Sequence, residues 1–165
     1  MAQTLEREFG HLDALLHCAG SLGTLTPVQH YDPQVWMETL QVNLNGPFLL
    51  TQACLGLLHH DRGSRVLFVT DDRRKAYWGA YGASKAGAEA FMQILADEVE
   101  ANTRIRVAAL RPGPMRTRMR ALAYPGEDPN RIPPPEAAVP ALLYFLGPAG
   151  ERLHGQILTL PPPVA

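Results

Sequence analysis

The sequence predicts an α/β fold in which helices flank a parallel sheet, and three observations carry the prediction. Short apolar runs alternate with longer helical stretches along the chain, the order of successive βα units. The first such run, residues 12–17, is apolar with little alternation, as suits a strand covered on both faces. The composition supplies a core: 46% of the 165 residues are hydrophobic and 19% are charged, enough for one ordinary domain to close around them.

The elements follow in order. Residues 3–9 read as the end of a helix stopped by Gly10. After the strand at 12–17 comes a loop marked by Gly20, Gly23 and Pro27. Asp32-Pro33 opens a helix, because Asp accepts from free N–H groups there and Pro is tolerated at the first helical position. That helix runs to about residue 60 and bends near Asn45-Gly46-Pro47, where Pro removes one intrahelical hydrogen bond. Residues 65–70 form a second strand, and the alanine-rich stretch 81–101 a strong helix. A third strand, 105–110, ends at Arg111-Pro112-Gly113-Pro114. Segment 115–135, rich in Pro and Arg, reads as a mobile flap carrying a short helix. A helix over 136–146, bent or started late at Pro140, leads to a last strand at 156–160, which Pro161-Pro162-Pro163 keeps from extending.

Charge and cysteine usage narrow the function classes. A net charge of −1 exerts no global pull toward nucleic acid or an anionic membrane. Arg111, Arg116, Arg118 and Arg120 cluster without interleaved aromatics, which reads as a solvated loop or as one facing phosphate or carboxylate beside a site. Cys18 and Cys54 stand far apart in apolar segments with no metal-ligand spacing, so both are expected to be buried thiols of a reducing compartment. His59-His60 reads as a surface cap at a helix end rather than a metal site. The polar start is unlike a signal peptide, and no apolar run approaches the ~20 residues that span a bilayer. The expectation is a soluble cytoplasmic chain with neither nucleic-acid nor membrane partners.

One constellation carries chemistry. In Tyr81-Gly82-Ala83-Ser84-Lys85 the phenol and the ammonium stand at helix positions i and i+4, on one face. Tyrosine ordinarily titrates near pH ~10, and a neighbouring lysine charge favours the phenolate and lowers that value. Such a pair suits proton transfer to or from a carbonyl or hydroxyl group. Taken alone it is also compatible with an ordinary surface pair.

With its surroundings the pair resembles the catalytic pair of the short-chain dehydrogenase/reductase family, and the resemblance covers essentially the whole chain. Leu12-Asp13-Ala14-Leu15-Leu16-His17-Cys18-Ala19-Gly20 looks like the family's strand into an Asn-Asn-Ala-Gly motif. Val42-Asn43-Leu44-Asn45-Gly46-Pro47-Phe48 is similar to the helix with its active-site asparagine, and Arg111-Pro112-Gly113-Pro114-Met115-Arg116-Thr117 to the loop over the nicotinamide. Phrases such as Trp78-Gly79-Ala80-Tyr81 and Glu127-Asp128-Pro129 resemble a YciK-like bacterial oxidoreductase subgroup. The resemblance implies a Rossmann-like fold, NADP or NAD as cofactor, a small carbonyl or alcohol as substrate, and hydride transfer between the two. It implies Tyr81 as general acid/base, Lys85 as the group holding the nicotinamide ribose and depressing the tyrosine, and Asn43 as the holder of a relay water. Ala19, Gly20, Pro112, Gly113 and Thr117 would complete the cofactor site. Asn43 is also readable as an amide that stabilises the bend before Pro47.

Departures from the family pattern set a second expectation beside the first. No Gly-x-x-x-Gly-x-Gly occurs, and Met1 aligns within a helix that precedes the family's fourth strand. Residues 1–165 therefore read as a single partial domain lacking the first strands of the dinucleotide-binding half. Where the family carries a catalytic serine, this chain reads Val69-Thr70-Asp71-Asp72-Arg73-Arg74-Lys75, which suggests a solvated loop, with Thr70 as a possible hydroxyl donor. His17-Cys18 replaces the Asn-Asn pair. The strand at 12–17 would then be an apolar sheet edge, which predicts self-association as a homo-oligomer. The alternative to an NAD(P)-dependent oxidoreductase is a catalytically inactive family member acting as an interaction module or remnant.

Overall fold

A computed structural model describes residues 1–60 and 62–161. Four parallel strands, β1 (Ala14–His17), β2 (Ser64–Val69), β3 (Ile105–Arg111) and β4 (Ile157–Thr159), lie side by side in chain order. Ala14 stands opposite Arg65 and His17 opposite Phe68; Ser64 pairs with Ile105 and Val69 with Leu110; Ala109 pairs with Ile157. Parallel pairing obliges the chain to return through a crossover between strands. The crossovers are α2 (Pro33–Leu40) with α3 (Gly46–Leu58), then α4 (Gly79–Glu100), then α5 (Arg118–Ala123) with α6 (Val139–Leu146). All strands therefore end at one rim of the sheet. The first helix, α1 (Ala2–Phe9), ends at Gly10, whose φ of 73° suits a residue without Cβ.

The period-2 geometry of the strands divides the core between two faces. Val66, Phe68, Val107 and Ala109 pack with Cys54, Leu58, Met92 and Leu95 of α3 and α4. Leu67, Ala108 and Leu110 point the other way, where Phe145 of α6 closes over them. Full burial of side chains such as Leu67, Phe68 and Phe145 contributes about 1.5–3 kcal/mol each. β1 pairs on one side only among the described residues, and Leu15 and Leu16 are half-buried rather than enclosed.

Local chemistry explains the element ends. The Asp32 carboxylate accepts from the Gln34 N–H at 2.8 Å and starts α2. The expected bend near Pro47 is realised one turn earlier, as a π-helical turn over Gln41–Asn45 in which the Gly46 N–H reaches the Gln41 carbonyl. Pro47 then falls in the first turn of α3, where its missing N–H is tolerated. A 3₁₀ turn at Pro135–Ala138 precedes α6, with Pro140 again in the first turn. The flap carries its short helix, capped by the Thr117 hydroxyl. β4 is shorter than the sequence suggests, and Pro162 and Pro163, expected to block its extension, lie outside the described residues. Among the described residues no helix is long and apolar enough to cross a membrane.

Candidate active site

The rim where the strands end holds a cavity of about 410 Å³. The loop after β1 contributes Gly20, the end of β2 Val69, Thr70 and Asp71, and the loop after β3 Pro112 and Gly113. Helix α4 brings Tyr81 and Lys85 to its floor, and Thr117, Met119 and Tyr124 of the flap form its roof. Open parallel sheets bind ligands at this rim because the strand-to-helix loops converge there. The structure thus brings six of the expected residues, Gly20, Tyr81, Lys85, Pro112, Gly113 and Thr117, to one cavity. Asn43 stands behind that wall and Ala19 is exposed without lining it.

The first turns of α4 set the geometry. A Cβ on Gly82 would stand 2.3 Å from the Arg73 carbonyl oxygen, so only glycine lets the loop after β2 lie against the helix. That contact brings Asp71 to Tyr81, whose hydroxyl donates to Asp71 Oδ2 at 3.2 Å. Lys85 is 7% exposed and donates to the Val69 carbonyl at 2.9 Å. An ammonium has three donors, so two remain for a ligand beside Gly20. A Cβ on Gly20 would lie 3.6 Å from Lys85 Nζ and 3.7 Å from Asn43 Oδ1.

Asn43, in the π-helical turn, joins the wall together. Its Nδ2 donates to the Ser21 carbonyl at 2.8 Å and to Ser84 Oγ at 2.9 Å, while its Oδ1 accepts from the Ser21 N–H at 2.7 Å. Ser84 passes its own hydrogen to the Tyr81 carbonyl at 2.8 Å. A side-chain amide with a bond in each direction fixes the loop after β1 against α4. π-Helical turns recur at functional sites, and this one places the amide between two site-forming loops.

The electrostatics correct the sequence reading in one respect. Burial, and after it the charge and hydrogen bond of Asp71, push Tyr81 well above the ordinary tyrosine value. Lys85 sits 5.9 Å from the ring centroid and does not reverse this. Lys85 is itself pulled down by burial, against the pull of Asp71. Burial raises Asp71 despite Arg73, whose Nε lies 3.6 Å from Oδ1. The Asp71 loop is therefore no solvated bystander, and Thr70 is not free for a ligand, because its hydroxyl donates to Glu89 at 2.9 Å.

Other readings change as well. Cys18 is exposed and borders the cavity, whereas Cys54 is buried as expected. Two of the four clustered arginines have carboxylate partners: Arg111 grips Glu89 with two bonds of 2.6 Å, and Arg120 grips Glu127 likewise. His17, in place of the family's asparagine, is buried against Phe68 and bonded to Thr51 Oγ1 at 2.8 Å. His60 is a cap of another kind, reaching the Leu12 carbonyl at 3.0 Å. Sequence reasoning missed Ser84 and Arg73. The i+3 spacing of Ser84 from Tyr81 was the available signal for the first, and Gly82 the signal that a loop approaches for the second.

A parallel sheet with flanking helices and this rim is a Rossmann-like fold, and the model of the short chain dehydrogenase family matches residues 1–128. The chain belongs to that family. A relative in Escherichia coli K12, the uncharacterized oxidoreductase YciK, is 42% identical over 165 residues, covering 98% of this chain and 65% of the relative. The solved structure of YciK matches with a TM-score of 0.91 at 40% identity, over 96% of this chain and 65% of that one. A short chain dehydrogenase from Salmonella enterica gives 0.92 at 38% identity over 96% and 66%. An Escherichia coli neighbour crystallised with NADPH gives 0.90 at 40% identity over 96% and 66%. This chain thus spans about two-thirds of the length of these proteins, 65% in the case of YciK.

Proposed function

We propose that this chain carries the substrate and nicotinamide half of an NAD(P)-dependent short-chain oxidoreductase that exchanges hydride with a carbonyl or alcohol, with Tyr81 as general acid/base. The observation that carries this reading is the meeting of Tyr81, Lys85, Gly20 and the Pro112-Gly113 turn at one cavity. The residues fit the nicotinamide end of such a cofactor: Lys85 has two donors to spare for ribose hydroxyls, and Gly113, with φ of 75°, keeps the turn after β3 open. NADPH bound to the Escherichia coli neighbour supports the cofactor class.

When bound, the reduced nicotinamide supplies a hydride to the carbonyl carbon. Tyr81 then gives its hydroxyl proton to the carbonyl oxygen, so one hydride and one proton convert C=O to CH–OH. At neutral pH Tyr81 holds that proton firmly, since burial and Asp71 raise it. The raised value keeps Tyr81 in the protonated form that reduction uses and makes its hydroxyl a weaker acid than an unperturbed phenol. Lys85 orients the ribose, and Asn43 keeps Gly20 and Ser21 in register with the helix.

The Asp71–Tyr81 bond also supports the second reading, a silent family member, because the hydroxyl is already engaged by a group that cannot donate when ionised. Titration of the 165-residue chain with NADPH, followed by nucleotide fluorescence and by protein mass, separates the two. Saturable binding with a carbonyl-dependent NADPH oxidation that Tyr81→Phe removes supports the oxidoreductase. A folded sample that ignores millimolar nucleotide overturns it. Among the described residues the outer edge of β1 pairs with no strand, which supports self-association of this chain, and a stable monodisperse monomer in light scattering contradicts that.

A further inference from the structure

Beyond the residues already assigned, we propose that Arg73 anchors a carboxylate on the substrate, which makes the substrate class short oxo acids or the corresponding hydroxy acids. The inference rests on the oxidoreductase reading for what happens to the carbonyl, and on the geometry of Arg73 for the anion.

Arginines near the cavity differ in how completely their donors are used. Arg111 and Arg120 each give two hydrogen bonds of 2.6 Å to one carboxylate, Glu89 and Glu127. Arg74 gives one of 2.6 Å to Glu89. Arg73 lines the cavity with its side chain 20% exposed, and its contact to Asp71 at 3.6 Å is longer than a hydrogen bond. No acceptor among the described residues takes any of its N–H hydrogens. A guanidinium carries five donors in a planar fork that matches a carboxylate edge, so this one is available for an anion.

The placement selects the ligand. Arg73 lies 5.8 Å from the centre of Trp78 and 6.0 Å from that of Tyr124, aromatic walls that hold its plane in the cavity. The Asp71 carboxylate faces Arg73 with one oxygen and Tyr81 with the other. A carbonyl in reach of the Tyr81 hydroxyl therefore has Arg73 only a few bonds away. The charges facing the cavity are Asp71, Arg73, Lys85 and Arg120. Glu127 neutralises Arg120 and Asp71 offsets one cation, leaving a positive excess that favours an anionic substrate. A single fork with apolar neighbours such as Met115 and Leu142 suits a carboxylate better than a multiply charged phosphate.

The test uses 4-oxopentanoate and its methyl ester, equal in backbone and different in charge, titrated into the chain while Trp78 fluorescence is followed. The expected result is saturable binding of the acid at least tenfold tighter than the ester. Arg73→Gln is expected to abolish the difference and Arg73→Lys to retain part of it, while Arg7→Gln, a change on the exposed helix α1, leaves it intact. Far-UV circular dichroism checks that each variant is folded. Equal binding of acid and ester, no saturable binding of the acid, or a preference that survives Arg73→Gln overturns the assignment. Because the titration needs no nucleotide, a chain that binds the acid through Arg73 yet never binds NADPH would remove the oxidoreductase reading and leave this site standing.

Discussion

Helix α4 meets two carboxylates, half-buried Asp71 at its first turns and buried Glu89 at its middle, and the two are treated oppositely. Glu89, two turns beyond Tyr81, is 3% exposed and accepts from Thr70, Arg74 and Arg111. Burial pushes its carboxyl up, but the hydrogen bonds of Arg111 and Thr70 and the charges of Arg111 and Arg74 outweigh it and leave Glu89 below the ordinary range. Asp71 receives one tyrosine hydroxyl and a guanidinium at 3.6 Å, so burial prevails and raises it. A buried charge surrounded by donors holds elements in place: Glu89 ties the ends of β2 and β3 to the helix. A half-buried charge with few donors perturbs its neighbours instead, and here the neighbour is the tyrosine.

The largest effect expected from breaking this contrast is at the Tyr81 end. Tyr81→Phe removes the proposed proton donor and is expected to lower carbonyl-dependent NADPH oxidation by about 10²–10⁴, while the folding free energy changes by about 1 kcal/mol. A variant retaining full activity would remove Tyr81 from the chemistry. At the other end Glu89→Gln leaves Arg111 without its ionic partner, and urea unfolding should show a loss of about 3 kcal/mol. A loss below about 1 kcal/mol would mean that Glu89 holds nothing together.

His17 sharpens the comparison as another buried ionisable group, with a single hydrogen-bond partner. Burial lowers it to about 4 from the ordinary 6.5, so it is neutral in the folded chain. Between these values the unfolded chain binds more protons than the folded one, and stability must fall as pH drops from 6.5 to 4. The loss is on the order of 3 kcal/mol over that window, and His17→Gln should flatten this part of the stability–pH curve. An unchanged curve would show that His17 charges freely in the fold. The smallest effect is at Asp71. Asp71→Asn removes a carboxylate whose charge burial opposes, so stability at neutral pH should rise or hold within about 1 kcal/mol. The same change should move the ultraviolet titration of Tyr81 toward its ordinary value, and no movement would show burial alone to be responsible.

Much of the frame was legible before any coordinates. The four apolar runs, the capping Asp32 and the alanine-rich helix carry their structure in local pattern, and the i+4 spacing of Tyr81 and Lys85 places both on one face. The Pro112-Gly113 turn was readable because a glycine with φ of 75° follows a residue that cannot continue a ladder. The roles of Asp71, Arg73 and Asn43 were not, since each depends on a partner distant in sequence. Asp71 looked solvated because nothing in Asp71-Asp72-Arg73-Arg74 says that Gly82, on another element, admits the loop against the helix. Cys18 looked buried because its apolar neighbours belong to a strand that ends one residue before it.

Sequence alone therefore determined the order of strands and helices, the parallel sheet and the placing of Tyr81 and Lys85 on one helix face, because backbone preference and side-chain period act within a few residues. Tertiary structure alone decided which charges are satisfied. Hydrogen bonds between Thr70, Arg111 and Glu89, or between Tyr81 and Asp71, form only once three elements have converged at the rim of the sheet. The ionisation of a group there follows from how many donors the packing brings to it, and no local pattern encodes that number.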